Sequence, residues 1–221
     1  MKSGYSHVEF VIDRSGSMGS ILADTIGGYN TFVGEQKKQE GECTFSLTQF
    51  DNTIENVYDF VNINEVPELT NQTFIPRGMT SLLDAIGDRI IACGNKLADI
   101  KEEDRPEKVI FVILTDGEEN SSRKFSNDKI KEMISHQTDK YMWEFIFLAA
   151  NINAEKVGSS IGIKEGSSMT FTADPMHTSY VFSKASAHVC HTRAMSSEDY
   201  GLYKTAEAGA FSTEDKAGAI K

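Results

Sequence analysis

Two short segments place carboxylates and hydroxyls beside glycines, each directly after an apolar run. Segment 13–17 (Asp-Arg-Ser-Gly-Ser) follows the run 8–12, and segment 115–117 (Thr-Asp-Gly) follows the run 109–114. Between them, segment 80–85 (Thr-Ser-Leu-Leu-Asp-Ala) adds a further hydroxyl. The candidate ligands are Asp13, Ser15, Ser17, Thr80 and Asp116. All of them offer oxygen, so the pattern predicts a site for a small, hard divalent cation.

The types of ligand atom also indicate which metal ion the site favours. The constellation contains no histidine or cysteine, which disfavours zinc and copper. Only two carboxylates, Asp13 and Asp116, serve the site, so water must supply part of the coordination. Mg²⁺ keeps several waters and takes few carboxylates. We therefore predict Mg²⁺, with Mn²⁺ or Ca²⁺ as alternatives.

The elements that must position these residues alternate between strands and helices. The apolar runs 8–12, 109–114 and 143–150 have the composition of buried parallel strands. Residues 42–50 and 53–60 flank the turn Asp51-Asn52 and predict a hairpin at a sheet edge. The alternation predicts an α/β fold: a doubly wound, mainly parallel, Rossmann-like sheet with one antiparallel edge strand and helices on both faces.

Helices are predicted from apolar residues at spacings of three and four. One helix covers residues 18–38, and a second starts at Thr80 or Ser81, with Met79 taken as the first apolar position of its buried face. Further helices are expected at 126–136, 154–161 and 178–196. The order predicts one domain over residues 1–175, followed by a C-terminal helix and tail (176–221) packed on the domain or used for docking.

Ligands of doubly wound sheets lie beyond the carboxyl ends of the strands. Asp13, Asp116 and Asn151 each follow a predicted strand, so we expect them to converge on one crevice, Asn151 as a turn residue or a supporting contact. Arg14 occupies the variable position between Asp13 and Ser15, and we expect it to point to solvent at the rim.

Composition excludes several classes of function. The formal charge of −11 argues against nucleic-acid binding and against docking to anionic membranes. No apolar stretch is long enough to span a membrane, and residues 1–7 lack the apolar core of a secretory signal. The chain has 3 cysteines, an odd number and widely spaced, which predicts a reduced, cytoplasmic protein.

The motifs resemble the metal-ion-dependent adhesion site of von Willebrand factor A (VWA) domains. Asp13-x-Ser15-x-Ser17, Thr80 opening Thr-x-Leu-x-Asp-Ala, and Thr115-Asp116-Gly117 match that site in order and context. The similarity covers residues 5–175. Within the family, the chain looks most like the small intracellular bacterial and phage members, some of them associated with tellurite resistance.

The resemblance implies roles for individual residues. Ser15, Ser17 and Thr80 are expected to bind the metal directly through their hydroxyls, and Asp13 and Asp116 mainly through waters. Asp84 is expected to support the site from one helical turn after Thr80. The remaining coordination position is expected to take an Asp or Glu from a partner protein.

Three functional hypotheses remain open on the sequence. The first is a metal-dependent protein-interaction module without catalytic residues, because no nucleophile or general base accompanies the motif. The second is a metal-dependent hydrolase such as a phosphatase, although Ser15 stands where a second aspartate is expected in the haloacid dehalogenase type. The third is an assembly protein in which the metal only stabilises the fold. The partner and the oligomeric state are not specified by the sequence.

Overall fold

The computed structural model describes residues 1–206 and 209–220. Residues 207, 208 and 221, which belong to the predicted C-terminal tail, lie outside that part of the chain. The described strands are β1 Lys2–Asp13, β2 Glu42–Phe50, β3 Ile54–Asn62, β4 Pro106–Thr115, β5 Glu144–Ala150 and β6 Ser168–Phe171. They form one sheet in the order β3-β2-β1-β4-β5-β6, in which only the β2–β3 pair is antiparallel. The predicted fold class is therefore confirmed.

Helices cover both faces of the sheet. The described α-helices are α1 Leu22–Lys37, α2 Leu82–Ala98, α3 Asn127–Tyr141, α4 Ala154–Ser160, α5 Pro175–Ala194, α6 Ser197–Thr205 and α7 Thr213–Ala217. Apolar residues of α1 and α5 share one core cluster, while those of α2, α3 and α4 share a second cluster across the sheet. None of the helices in the described ranges is both long and apolar enough to cross a membrane.

Strand β1 lies at the centre of the sheet and divides its side chains between the two clusters. Phe10 and Ile12 face α1 and α5, whereas Val11 faces α2. Because successive side chains of a strand alternate, Asp13 projects to the same face as Val11. The pairing of Ile12 with Leu114 then sets the ends of β1 and β4 side by side, with Asp13 next to Thr115.

The second helix begins later than its apolar spacing predicts. Helix α2 starts at Leu82, and Met79 is 52% exposed and lies outside the helix, so its assignment to the buried face is wrong. The carbonyl of Thr80 accepts hydrogen bonds from the backbone N–H groups of Asn120 and Ser121, at 3.1 and 3.2 Å. These contacts hold the chain before Leu82 as a loop rather than as a helical turn.

The C-terminal region packs on the same core as β1. Phe182 of α5 stacks on Phe10 with ring centroids 6.3 Å apart. Gly28 of α1 permits this approach, because a Cβ atom at that position would lie 2.2 Å from the Phe182 ring. Farther along the chain, the carbonyl of Ala219 accepts a hydrogen bond from Thr172 N at 3.0 Å, just beyond the end of the edge strand β6.

Candidate metal centre

The carboxylate of Asp13 is fixed from two sides at the end of β1. One oxygen, Oδ1, accepts the backbone N–H of Ser15 at 2.6 Å. The other, Oδ2, accepts the hydroxyl of Thr115 at 2.6 Å from the neighbouring strand β4. The side chain is fully buried. Its orientation is therefore set by the sheet register and by the tight turn after the strand.

Two serine hydroxyls connect this carboxylate to the second one. Ser17 Oγ donates to Asp116 Oδ1 at 2.6 Å, and the hydroxyls of Ser15 and Ser17 lie 3.0 Å apart. Because the single Ser17 proton goes to Asp116, Ser15 is the donor in the contact between the serines. The loop after β1 and the loop after β4 thus meet through side-chain oxygens.

Thr80 completes the group from the loop before α2. A Cβ atom built on Gly117 would lie 3.4 Å from Thr80 Oγ1 and 3.5 Å from Ser17 Oγ. Both hydroxyls therefore point toward the same space beside Gly117. All of the residues predicted as ligands converge, and we call this group the oxygen ring, with members Asp13, Ser15, Ser17, Thr80 and Asp116.

The oxygen ring is buried on one side and exposed to solvent on the other. Asp13, Ser15 and Thr80 are buried, whereas Gly16 and Ser17 are exposed. Gly78 helps to close the side wall: it adopts φ of 70°, and its carbonyl accepts the N–H of Gly16 at 3.3 Å. A ligand therefore reaches the ring from solvent on the side of Ser17.

Burial destabilises the ionised forms of the two ring carboxylates, and a nearby positive charge would stabilise them. Burial raises the pKa of Asp13 from 3.8 to about 6, against the hydrogen bonds from Thr115 and Ser15, and the nearby Asp116 raises it further. Burial also raises the pKa of Asp116. Since the folded-state pKa of Asp13 lies above its ordinary value, the free energy of unfolding falls by roughly 3 kcal/mol as the pH rises from 3.8 to about 6, and it stays lowered at higher pH. A bound cation offsets that cost.

The ring fits a hard divalent cation. Its donors are carboxylate and hydroxyl oxygens, the ligands that Mg²⁺ and Mn²⁺ prefer. The half-buried Gly117 leaves free the space into which Thr80 and Ser17 point. The hydrogen bonds that now join hydroxyls to carboxylates leave lone pairs on every hydroxyl oxygen for a metal.

The loop after Gly117 is fastened to the start of α2. Asp84 accepts three backbone N–H groups, from Arg123, Lys124 and Phe125, at 2.8 to 3.1 Å. Glu119 accepts the backbone N–H of Leu83 at 3.0 Å in the first turn of α2. Asp84 thus joins the helix that follows Thr80 to the loop that follows Asp116. Glu119 makes the same connection.

Arg14 does not point to solvent, and the expectation for this residue was wrong. Its side chain is buried, and Nε donates to Asp51 Oδ2 at 3.0 Å while Nη1 donates to Glu55 Oε2 at 2.6 Å. Burial opposes ionisation of Asp51, but hydrogen bonds and charge from Arg77 and Arg14 lower its pKa overall. Arg14 therefore anchors the loop of Ser15 and Ser17 to the β2–β3 hairpin.

Asn151 belongs to the neighbouring edge of the sheet. It adopts φ of 58°, its N–H donates to Phe171 O at 3.0 Å, and its side-chain oxygen accepts the N–H of Ala173 at 3.1 Å. It is therefore a turn residue that holds the end of β6. Within the part of the chain that the structure describes, its hydrogen bonds do not extend to the oxygen ring.

Two supporting residues were not identified as such from the sequence. Thr115 holds Asp13, and the side-chain oxygen of Asn120 accepts the backbone N–H of Thr80 at 2.9 Å. Alternation along β4 predicts the first contact once the register is known, because Thr115 lies on the face of Ile113, which pairs with Val11. No comparable sequence signal points to Asn120, which lies in an irregular loop.

We expect Thr115→Val to weaken metal binding without unfolding the protein. The substitution keeps the shape of the side chain but removes the hydroxyl that orients Asp13. Loss of such a supporting hydrogen bond lowers metal affinity by roughly 10- to 100-fold. Isothermal titration with Mg²⁺ measures the change.

Thr48→Val is the matched control for this measurement. Thr48 is fully buried in β2, and its hydroxyl has no hydrogen-bond partner among the described residues. The control variant should bind Mg²⁺ as the wild type does. Equal affinities for Thr115→Val and Thr48→Val would show that Thr115 does not orient the site.

A second group of ligand-type side chains lies beneath α2, but its charges do not favour a metal. Ligand atoms of His7, Glu9 and Cys93 lie within 4.8 Å of one another, and all three residues are buried. Both oxygens of Glu9 are occupied by Arg89, whose Nε and Nη2 lie 2.9 and 3.0 Å away. Burial raises the pKa of the Cys93 thiol well above its ordinary value. The Arg89 guanidinium and the protonated Cys93 thiol therefore occupy the space that a metal ion would need.

Comparisons with known proteins place the fold. No protein-family model matches the chain, and a search of curated proteins gives no match either. Among solved structures, proximal thread matrix protein 1 from the mussel byssus is 15% identical over 85% of this chain and 47% of its own, with a TM-score of 0.59. A structure of that protein "with zinc occupied MIDAS motif" gives 15% identity over 85% and 46%, with a TM-score of 0.57.

A second protein gives the same result. The von Willebrand factor type A protein from Catenulispora acidiphila is 14% identical over 84% of this chain and 43% of its own, with a TM-score of 0.52. The chain thus spans less than half the length of these solved structures. At such low identity the similarity concerns the fold, and the sheet order and flanking helices agree with it. The chain has the fold of von Willebrand factor A domains.

Proposed function

We propose that the oxygen ring holds a divalent cation and presents it to an acidic side chain of a partner protein. The observation that carries this proposal is the arrangement of burial around the ring. Asp13, Ser15 and Thr80 are buried, while Ser17 and the glycine beside it face solvent. A cation held by the buried members of the ring keeps a coordination position on the solvent side. A carboxylate of another protein can bind there.

The metal in this proposal is Mg²⁺, with Mn²⁺ or Ca²⁺ as alternatives. Ser15, Ser17 and Thr80 would hold it through their hydroxyls, and Asp13 and Asp116 would neutralise its charge mainly through waters. The oxygen-only donors support this choice. The zinc-occupied site of proximal thread matrix protein 1 supports a divalent cation in general.

Binding is favoured over catalysis by the surroundings of the ring. In the described ranges, the side-chain hydrogen bonds of its members run from hydroxyls and backbone amides to carboxylates, to another hydroxyl and to the side-chain amide oxygen of Asn120. His7 lies six residues before Asp13 on the same strand, roughly 20 Å away at the rise of a β-strand. In this proposal the ring binds a cation and orients the ligand of that cation. The hydrolase hypothesis lacks a general base next to the ring.

The proposal also covers the cellular location of the protein. Cys43, Cys93 and Cys190 are all unpaired, which supports a reduced, cytoplasmic location. It also includes the similarity to small bacterial and phage members of the fold family. In this proposal the chain binds another protein, and nucleic acids and membranes are not its partners.

Water relaxation with Mn²⁺ tests the open coordination position. We expect protein-bound Mn²⁺ to enhance the relaxation of water protons, because bound waters exchange with solvent. N-acetyl-glutamate amide should displace such water and lower the enhancement, whereas N-acetyl-glutamine amide, its neutral match, should not. Equal effects of the two ligands, or no enhancement at all, would contradict an open site for a carboxylate.

Two further outcomes would favour the other hypotheses. Release of phosphate from generic phosphoesters with Mg²⁺, lost in Asp13→Ala, would support a hydrolase. Tight Mn²⁺ binding with no exchangeable water would support a metal that only stabilises the fold. The relaxation experiment and a phosphate-release assay on the same samples therefore separate the three functions.

A further inference from the structure

An apolar trough runs between helices α2 and α3. It has a volume of about 960 Å³, which falls in the range of roughly 300–1,000 Å³ that is usual for small-molecule sites in proteins. Val109 of β4 and Trp143, just before β5, lie on its floor, and both are 4% exposed. Ile90 and Ile91 of α2 line one wall, and Met133 of α3 lines the other. We call this space the α2–α3 trough.

The trough is open because the residues of α2 that line its middle are small. Gly94 lines it, and a Cβ atom at that position would meet no atom within 4 Å. Ala98, one helical turn later, lines it as well. Between Ile90 and Ala98 the trough follows α2 for about 12 Å at the rise of an α-helix. Larger side chains would be needed here to fill the space between the two helices.

One end of the trough lies at the edge of the sheet opposite to the oxygen ring. Arg105 directly precedes β4, and Lys140 and Tyr141 end the helix that leads to β5. Strands β4 and β5 are parallel neighbours, so their starting points lie side by side. We call this end, lined by Arg105, Lys140 and Tyr141, the mouth of the trough. Phe125 lines the trough toward the other edge of the sheet.

The mouth contains two cations that no carboxylate neutralises within the described ranges. The Nζ atom of Lys140 lies 5.3 Å from the ring centroid of Tyr141. The Arg105 side chain donates to two main-chain carbonyls, Ile100 O at 2.8 Å and Ala98 O at 3.3 Å. Carbonyl groups and aromatic rings carry no net charge, so both cations remain available to an anion.

Most acidic side chains of the trough already lie next to a cation. Glu132 pairs with Lys129 at 2.9 Å, and Glu107 lies 3.9 Å from the Nζ atom of Lys108. Among the described residues that line the trough, Glu102 is the remaining acid. In a chain with a formal charge of −11, an apolar space with unneutralised cations at one end is complementary to an anionic, largely apolar ligand.

We propose that the α2–α3 trough binds a free long-chain carboxylate, with its alkyl chain along Ile90 and Met133 and its carboxylate at Lys140 and Arg105. The apolar walls favour the alkyl chain because binding removes it from water. The two cations favour a carboxylate over a neutral or cationic head group of the same chain length. The ligand is the free molecule, because the acidic surface disfavours contact with anionic membranes.

Fluorescence of Trp143 tests the proposal, since it is the only tryptophan of the chain and lies on the floor of the trough. The protein is titrated in EDTA with decanoate below its critical micelle concentration, and isothermal titration calorimetry confirms the Kd. We expect saturable binding of decanoate. Decanol and decyltrimethylammonium, its neutral and cationic matches, should bind at least roughly tenfold more weakly.

Gly94→Leu should abolish decanoate binding, because the new side chain fills the trough. Leucine favours a helix more than glycine does, so the melting temperature should not fall. Gly34→Leu on α1 is the matched control, because a Cβ atom there would also meet no atom within 4 Å. This control should bind decanoate as the wild type does.

Two charge variants test the mouth with opposite expected signs. Lys140→Gln should weaken decanoate binding by roughly fivefold, and Glu102→Gln should strengthen it. Lys131→Gln is the control on the same helix, where Lys131 packs against Gly162. It should leave the affinity unchanged.

Several outcomes would overturn the proposal. Absence of saturable binding, equal affinities for decanoate and decanol, or wild-type affinity in Lys140→Gln or Gly94→Leu would each do so, as would weaker binding by Glu102→Gln. Binding to vesicles of phosphatidylcholine and phosphatidylglycerol that is lost in Gly94→Leu would assign the trough to a membrane lipid instead. A dimer in sedimentation that Gly94→Leu dissociates would assign it to a second copy of the chain.

Discussion

Adding Mg²⁺ in excess of EDTA raises the melting temperature of the wild-type protein and leaves that of Asp13→Ala unchanged. The cation binds the folded ring, which the unfolded chain lacks, so binding stabilises the folded state. At a metal concentration a hundred times Kd, the gain is about 2.7 kcal/mol. For a chain of this size that corresponds to roughly 5–10 °C. Differential scanning fluorimetry with a series of Mg²⁺ concentrations measures the shift.

The electrostatics of the ring explain why Asp13 has the largest effect. Its carboxylate is fully buried and lies at the meeting point of β1 and β4, held by Ser15 N and by Thr115. Burial raises its pKa to about 6, so at neutral pH the charged form is costly until a cation offsets it. Removing the carboxylate removes both half of the site's negative charge and the reason for the stabilisation.

Asp99→Ala serves as the control for this experiment. Asp99 is exposed and follows the last residue of α2, at the end opposite to Thr80. Its substitution also removes one carboxylate, yet the Mg²⁺ shift should equal that of the wild type. A wild-type shift that persists in Asp13→Ala would place the metal elsewhere, and the absence of any shift with Mg²⁺, Mn²⁺ or Ca²⁺ would count against the oxygen ring.

The ring was predictable from sequence because its geometry depends on a few local rules. Parallel strands end at a common edge, and Asp13 and Asp116 directly follow or terminate two of them. Ser15 and Ser17 lie in the same short turn as Asp13, so their distance from it is limited by the chain itself. Only the position of Thr80 next to the other ring members depends on a long loop. For this residue, the resemblance to a known motif predicted the position.

The error at Arg14 has a different physical origin. A charged residue in a turn is usually exposed, and its actual partners, Asp51 and Glu55, lie in a hairpin that is distant in sequence. Which carboxylates lie within reach depends on the packing of that hairpin against the turn. Local composition gives no information on such a contact, and the burial of Arg14 follows from it.

The misplaced start of α2 shows the limit of periodicity. Met79 has the spacing of a buried helical position, but Thr80 uses its backbone groups for Asn120 and Ser121, so the helix begins only at Leu82, after Met79. The same contacts fix the hydroxyl of Thr80 next to Gly117. The contacts of Thr80 therefore override the local helical pattern, and the Met79 side chain is left exposed.

Arg89→Met is expected to lower the free energy of unfolding by about 3–5 kcal/mol, the usual cost of leaving a buried charge without its partner. Arg89 forms two hydrogen bonds to the fully buried Glu9 and a third to Asp59 Oδ1 at 3.1 Å. His7 cannot replace the guanidinium, because burial lowers the pKa of its imidazole and favours the neutral form. Unfolding in guanidinium chloride measures the loss.

Two further variants separate loss of the ion pair from loss of packing. Glu9→Leu/Arg89→Met removes both charges and should regain most of the stability, since apolar pairs of similar volume replace buried ion pairs at little cost. Arg77→Met removes an arginine that is 59% exposed and should cost no more than about 1 kcal/mol. Both Arg89 variants should keep the wild-type response to Mg²⁺, because the Glu9 group lies beneath α2 and shares no hydrogen bond with the oxygen ring among the described residues. A double variant as unstable as Arg89→Met would mean that the guanidinium acts through packing, and loss of the Mg²⁺ response would mean that the two groups are coupled through β1.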